Sequence, residues 1–136
     1  EKLMVNKIYY ALTKPGLLRA GLLHHQLDLS GDKVKQVKNS SNSSKEVSLE
    51  ILEVQKGKSA DLVKIKLFGG ARHQIRAQLA FSGAAIWGDE LYGGETASRL
   101  FLHSHSYTII YQGKEIEFKA ELPSAFSDFF HFNRIT

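Results

Sequence analysis

Apolar and polar residues alternate along several segments of the chain, which is the pattern of β-strands. In residues 7–12, Ile8, Tyr10 and Leu12 share one side, which we expect to be buried, while Tyr9 lies on the other. Proline and glycine at positions 15 and 16 end this strand. The same alternation predicts strands over four further ranges: 47–54, 62–68, 100–111 and 115–122. We expect them to form two hairpins, because each pair is separated by a short segment that contains glycine.

The spacing of apolar residues changes to that of a helix after Gly70. Ile75 and Leu79 lie one helical turn apart, and so do Arg72 and Arg76. The pattern therefore predicts a short helix with one apolar and one basic stripe. Glycine at position 83 is expected to end it.

A second helix is predicted at the end of the chain. Pro123 introduces it, and Phe126, Phe129 and Phe130 follow at helical spacing. A run of serine and asparagine at positions 39–44 indicates an exposed loop. Hairpins with few helices predict an α+β fold built on a mainly antiparallel, mixed sheet with a few short helices.

Composition indicates one globular domain over residues 1–136. The chain has 43% hydrophobic and 24% charged residues and no cysteine, which excludes a disulfide framework, thiolate zinc sites and cysteine nucleophiles. No apolar stretch approaches the ~20 residues of a membrane span, so we expect a cytoplasmic protein without a membrane partner. A formal net charge of +4 suits a polyanionic partner. Since the chain starts at Glu1, we expect it to be part of a longer protein.

The densest polar segment is residues 69–76, with the sequence GGARHQIR. It lies where a glycine pair precedes the predicted helix. The first turn of a helix exposes unpaired N–H groups and a partial positive charge, so Arg72 and Arg76 there imply a nearby anion. That anion is either a phosphate of a nucleic acid or a carboxylate from elsewhere in the protein.

Five pieces of the sequence, in order, resemble the RluA-type pseudouridine synthases, which isomerise uridine in structured RNA. They are residues 7–12 (KIYYAL), 73–76 (HQIR), 88–93 (GDELYG), 102–103 (LH) and 118–123 (FKAELP). The resemblance is to the carboxy-terminal half of the catalytic domain in that family. It implies that the chain belongs to an enzyme acting on rRNA or tRNA, as a monomer without metal or cofactor.

The resemblance also assigns roles to residues. Tyr9 matches the tyrosine that stacks on the target base, and Arg76 matches the arginine that pairs with the catalytic aspartate. Arg72, His73, Gln74 and Ile75 belong to the same motif and are expected to bind substrate, although the spacing of Ile75 also suits a core position.

The family's nucleophilic aspartate lies in a segment that precedes the tyrosine strand, and this chain contains no match to it. We therefore expect these 136 residues alone to be inactive. Asp28 lies after the tyrosine strand and is not expected to replace the nucleophile, while Asp89 is expected to bond backbone N–H groups in a turn. Gly69 and Ala71 depart from the threonine and arginine of the family pattern, which weakens the expected phosphate contacts there.

Two other functions remain open at this point. The departures at Gly69 and Ala71 are also those of a non-catalytic RNA-binding module derived from the family. His103 and His105 lie on one face of a predicted strand, which allows a metal-dependent hydrolase. No carboxylate accompanies these histidines on the strand, so the hydrolase is the weaker of the two.

Overall fold

The computed structural model describes the backbone of residues 2–39 and 44–135 and the side chains of residues 5–39 and 44–131. Most of the predicted serine and asparagine loop, residues 40–43, lies outside this range. The elements in chain order are β1 Lys2–Thr13, β2 Gly21–Asp28, β3 Lys35–Gln36, β4 Ser44–Gln55, β5 Asp61–Leu67, α1 Gln74–Phe81, a 3-10 turn Glu90–Tyr92, β6 Leu102–Tyr111, β7 Lys114–Lys119 and α2 Ser124–Ile135.

The strands form one seven-stranded sheet in the order β3-β2-β4-β5-β1-β6-β7. Every pair of neighbouring strands is antiparallel. The predicted α+β class with an antiparallel sheet is therefore confirmed, and so are the hairpins β4–β5 and β6–β7. The turn of the second hairpin has positive φ at both Gln112 (51°) and Gly113 (77°), as the twist of a two-residue hairpin requires.

Strand β1 lies in the middle of the sheet, between β5 and β6. Its consecutive residues Ala11, Leu12 and Thr13 are all 0% exposed. Since successive side chains point to opposite faces of a strand, both faces of the sheet are covered at this end of β1. The prediction of a single buried face was therefore wrong here.

Helix α1 places Ile75 and Leu79 in the core, at 5% and 0% exposure. Its first residue follows His73, which adopts a left-handed conformation (φ 55°). Arg72 therefore precedes the helix, and the prediction of a stripe on the helix formed by Arg72 and Arg76 was wrong. Gly83 ends the helical segment at φ 83°, as predicted.

Helix α2 follows Pro123 as predicted. Phe126 is fully buried and contacts Phe101 edge to face, while Phe129 packs against both Phe101 and Trp87. Neither helix of the described chain is long and apolar enough to cross a membrane.

Candidate active site

Arg76 forms a two-pronged ion pair with the carboxylate of Asp89. Its Nε donates to Oδ2 at 3.0 Å and its Nη2 donates to Oδ1 at 2.8 Å. The Asp89 side chain is 0% exposed and that of Arg76 is 21% exposed. The hydrogen bonds with Asp89 raise the pKa of Arg76 above its ordinary value. The anion expected beside Arg76 is therefore a carboxylate from within the chain.

Asp89 has a different role from the one expected of it. It precedes the 3-10 turn Glu90–Tyr92, but its side chain makes no capping hydrogen bond there. Both of its oxygens accept from Arg76 instead. The prediction that Asp89 bonds backbone N–H groups was wrong, because the guanidinium of Arg76 provides a stronger, charged donor pair.

Tyr92 joins several groups around this ion pair. The guanidinium of Arg76 lies 5.3 Å from the centre of its ring, and the ammonium of Lys33 lies 5.4 Å from it. The Tyr92 hydroxyl accepts from the backbone N–H of Val34 at 3.0 Å and is 3.0 Å from Nδ1 of His73. Burial, followed by the charges of Arg76 and its neighbour Arg72, lowers the pKa of His73. The cluster is thus electropositive.

Arg72 holds the loop that follows β2. Its Nη2 donates to the carbonyls of Leu29 at 2.9 Å and Gly31 at 2.6 Å, and its Nη1 donates to that of Asp32 at 3.1 Å. The side chain is nonetheless exposed. A guanidinium that is bound to neutral carbonyls keeps its full charge, so Arg72 can still attract an anion at the surface.

Gln74 and Ile75 present no surface to a substrate. Gln74 is 2% exposed, and its side-chain amide nitrogen Nε2 lies within hydrogen-bond distance of the carbonyls of Ser48 and Phe68 and of Gln78 Oε1. Ile75 is packed in the core. Both residues thus fix the helix beneath the site, and we carry only Arg72 and His73 forward as predicted substrate contacts.

Tyr9 lies in a second cluster, at the centre of the sheet. Its hydroxyl is 3.0 Å from that of Tyr107, and the two rings are tilted by 60°. Burial and the hydrogen bond with Tyr107 raise the pKa of Tyr9 to about 12. Hydrogen bonds from Tyr9 and Ser104, with a smaller effect of Lys7, lower the pKa of Tyr107. Either hydroxyl can be the donor in this hydrogen bond, which fixes the direction of the Tyr9 ring.

We expect the raised pKa of Tyr9 to be visible when the tyrosines are titrated. Between the ordinary value of 10.0 and about 12 the folded chain retains the Tyr9 proton and an unfolded chain does not. The contribution of Tyr9 to stability is therefore present below pH 10 and is lost as the pH rises toward 12. The absorbance of tyrosinate should show a late step in the wild-type chain that is missing from Tyr9→Phe. A Tyr111→Phe control should keep that step, and its persistence in Tyr9→Phe would contradict the assignment.

The structure does not join Tyr9 directly to Arg76. In the part of the chain that the structure describes, no hydrogen bond or ring contact links them. The connection runs through Lys7, which lies two residues before Tyr9 on the same face and donates to the carbonyl of Gly69. Three residues further on, the chain reaches Arg72. The loop at positions 69–72 therefore bridges the tyrosine cluster and the cationic cluster.

Two other acidic residues, Asp28 and Asp61, accept hydrogen bonds in turns. Asp28 Oδ1 accepts from both the backbone N–H and the hydroxyl of Ser30, which makes it a turn residue at the end of β2. Asp61 is 0% exposed and accepts from the backbone N–H groups of Gly16 and Gly57. These contacts give both residues structural roles in turns.

His103 and His105 lie near one another, with ring centres 5.7 Å apart. His103 Nε2 is 2.9 Å from the carbonyl of Ala120, and burial lowers the pKa of His105. Among the described residues, no group of three or more histidine, cysteine or acidic side chains is placed to hold a metal. The positions of the histidines therefore give the hydrolase hypothesis no support.

Gly69, one of the two departures from the family pattern, has a conformation that suits glycine. Its φ is 76°, a left-handed conformation that favours glycine. Ala71 donates its N–H to Gln74 Oε1 at 3.2 Å. The turn into α1 is therefore intact, and what the chain lacks at position 71 is only the positive charge.

Sequence signals were weak for Asp89 and Tyr107, the partners of Arg76 and Tyr9. Asp89 was identified, but its pairing with Arg76 depends on how residues 82–89 fold back onto α1. Tyr107 carried no motif at all. Only the pairing of β1 with β6 brings it opposite Lys7 and beside Tyr9.

Comparisons with known proteins agree with the resemblance. No family model matches the chain. In an alignment of 99 positions that covers 68% of the chain, it is 34% identical to an "Uncharacterized RNA pseudouridine synthase MG209 homolog" of Mycoplasma pneumoniae. The chain spans about a third (32%) of that relative's length.

Two solved structures share the fold. "Human RNA Pseudouridylate Synthase Domain Containing 1" has a TM-score of 0.73 at 18% identity, covering 85% of this chain and 54% of that one. "Human RNA Pseudouridylate Synthase Domain Containing 4" has a TM-score of 0.75 at 21% identity, covering 95% and 62%. The antiparallel sheet with two helices is thus the fold of such domains. Sequence and fold together place the chain in the RNA pseudouridine synthase family, and the resemblance is confirmed at that level.

Proposed function

We propose that this chain is the carboxy-terminal part of the catalytic domain of an RluA-type enzyme that converts uridine to pseudouridine in rRNA or tRNA. The observation that carries the proposal is the 34% identity to a relative named as an RNA pseudouridine synthase. The electropositive cluster of Arg72, Arg76 and Lys33 supports it, because binding to RNA depends on neutralising phosphates.

The reaction is an isomerisation. The bond from N1 of uracil to the ribose breaks, the base rotates and a bond forms from C5 to the same ribose carbon. The proton on C5 is released and N1 takes up a proton, so the product is an isomer of uridine. No electrons are gained or lost overall, so the chemistry requires a nucleophile or proton acceptor rather than a redox cofactor. We assign the nucleophile to an aspartate outside these 136 residues, and we expect the chain alone to be inactive.

Tyr9 is proposed to hold the flipped uracil by stacking on it. The bond to Tyr107 supports this role, because it fixes the ring before substrate arrives. Arg76 is proposed to keep the incoming aspartate charged through Nη1. Its other two nitrogens are held by Asp89, which leaves Nη1 with no partner among the side chains that the structure describes.

The remaining parts of the proposal concern the setting of the enzyme. It acts on RNA in the cytoplasm, as a monomer. The net charge of +4 supports an RNA partner. A non-catalytic RNA-binding module is the second candidate, favoured by the alanine at position 71 where the family pattern has arginine.

Release of tritium from RNA labelled at C5 of uracil tests the function in the full-length protein. Tyr9→Ala should lower the rate about 100-fold or more, because the loss of stacking costs about 1–3 kcal/mol and the base also loses its position. Tyr9→Phe should stay within about 10-fold, since the ring remains. Tyr111→Ala, at the far end of β6, is the matched control. If the full-length wild type binds RNA but releases no tritium, the non-catalytic module is correct.

A further inference from the structure

Three aromatic rings lie on one face of the sheet, across strands β1, β6 and β7. Tyr107 of β6 is paired with Lys7 on one side and with Phe118 of β7 on the other. Directly paired residues of neighbouring strands share a face, and Tyr9 shares it too because it lies two residues after Lys7. The hydrogen bond between Tyr9 and Tyr107 agrees with this register. We call the rings of Tyr9, Tyr107 and Phe118 the aromatic platform.

A β-bulge in β6 makes room beside the first of these rings. The β6 partners of Ile8 and Tyr9 are two residues apart, which leaves His105 as an extra residue between them. His105 turns to the other face of the sheet, where its ring contacts that of Tyr10. The exposed Ser104 is therefore the residue opposite Tyr9. Since serine is smaller than histidine, the bulge leaves space for a base next to the Tyr9 ring.

The platform is accessible, and the three strands turn no acidic side chain to its face. Phe118 is 58% exposed, and the two tyrosines are half-buried. Strands β1 and β6 contain no acidic residue. The two of β7, Glu115 and Glu117, alternate with Phe118 and lie on the opposite face, whereas Lys7 lies on the face of the platform. A polyanion with flat rings can therefore approach this face without repulsion from the strands.

We propose that the aromatic platform binds single-stranded RNA beside the target uridine, with one flanking base stacked on Phe118. The inference rests on the proposed function and adds a binding residue to it. Neighbouring strands lie about 4.8 Å apart, so β7 is about 10 Å from the strand that carries Tyr9. Bases of every kind stack on exposed aromatic side chains. Phe118 should therefore contribute affinity for an unpaired segment of RNA rather than select the uridine.

Binding of a labelled single-stranded oligouridylate to the full-length protein tests this site by fluorescence anisotropy. Phe118→Ala should weaken binding about 5- to 100-fold, because a stacked base contributes that much. Phe118→Leu should lose nearly as much, since leucine is apolar but has no flat ring, and Phe118→Trp should bind at least as well as wild type.

The matched control is Phe68→Ala, which should bind like wild type. Phe68 is also an exposed phenylalanine, at 39%. Its ring lies beside the ammonium of Lys66, and the pairing of Lys66 with Ile8 places that lysine on the opposite face of the sheet from Tyr9. The two variants therefore remove the same ring from opposite faces.

An abasic oligomer with the same phosphates separates stacking from charge. It should bind wild type more weakly than oligouridylate does, and it should bind Phe118→Ala and wild type equally. Equal losses in Phe118→Ala and Phe68→Ala, or wild-type affinity in Phe118→Leu, would overturn the platform. So would a wild-type dimer in sedimentation that Phe118→Ala dissociates without weakening RNA binding, because a second copy would then be the occupant of this face.

Release of tritium by the full-length protein distinguishes this proposal from the proposed function. Phe118→Ala should slow release at low RNA concentration, and a higher concentration should restore it, because a flanking contact adds equally to the binding of substrate and transition state. If Phe118→Ala binds and reacts like wild type, the platform is wrong while the function stands. If wild type binds RNA through Phe118 but releases no tritium, the function fails while the platform stands.

Discussion

Arg76→Met should destabilise the fold by about 3–5 kcal/mol, and by more than Asp89→Asn does. Removing the guanidinium leaves the Asp89 carboxylate charged in a place where it is 0% exposed. Removing the charge of Asp89 leaves Arg76, which is 21% exposed and can turn its free donors toward water. The expected cost of Asp89→Asn is therefore nearer about 1–3 kcal/mol.

Urea denaturation of the two variants and of the double variant measures this difference. The double variant should lose less stability than the sum of the two single losses, because the second substitution removes the group that the first leaves unpaired. Lys56→Met provides the matched control. Lys56 also pairs with a buried carboxylate, that of Asp61 at 3.4 Å, but it is 56% exposed and Asp61 keeps its backbone donors. Its loss should be below about 1 kcal/mol. Equal losses for Arg76→Met and Lys56→Met would contradict the argument.

The ion pair between Arg76 and Asp89 also affects the role that the family motif implies for Arg76. The motif implies that this arginine faces an aspartate of the active site, whereas the acid in contact with it is Asp89. If Arg76→Met unfolds the protein, loss of activity alone cannot show a role in the reaction. A folded Arg76→Lys variant separates the two, because lysine keeps the charge at Asp89 but lacks the planar group that binds two carboxylates at once.

Local patterns predicted most of the sheet but not strand β2. The hairpins β4–β5 and β6–β7 and helix α1 carry clear periods and glycine turns. Strand β2 does not: Leu22 is 69% exposed while Leu27 is 0% exposed, and a run of two histidines and a glutamine lies between them. This strand is fixed by pairing with β4 rather than by its own alternation.

The site was predictable as a set of residues but not as an arrangement. Arg76 and Asp89 are 13 positions apart, and the sequence left open whether the anion was a phosphate or a carboxylate. Tyr9 and Tyr107 meet only because β1 and β6, which are far apart in sequence, pair in one register. Motif spacing carries no information about such pairings, because they depend on the path of the whole chain.

The largest single effect is expected from a methyl group at Gly88, the residue before Asp89. A Cβ there would lie 1.8 Å from the carbonyl oxygen of Arg99 and 2.7 Å from its carbonyl carbon, both of them backbone atoms. The backbone of residues 87–88 is tied on both sides, since Gly88 N–H donates to Glu95 and Trp87 accepts from Phe101. The overlap cannot be relieved by turning a side chain, so these bonds must break.

Gly88→Ala should therefore cost more than about 4 kcal/mol or prevent folding, whereas Gly93→Ala should cost only about 1–2 kcal/mol. Gly93 has the same φ of 85°, but nothing lies within 4 Å of its added Cβ. The comparison separates steric overlap from backbone strain, because the strain is common to both variants. Thermal unfolding followed by circular dichroism measures the stability loss of each variant. The yield of soluble protein is the second measurement if Gly88→Ala does not fold. Equal stability of the two variants would mean that the loop that positions Asp89 can move away, and Arg76 would then lack the rigid partner on which its place in the site depends.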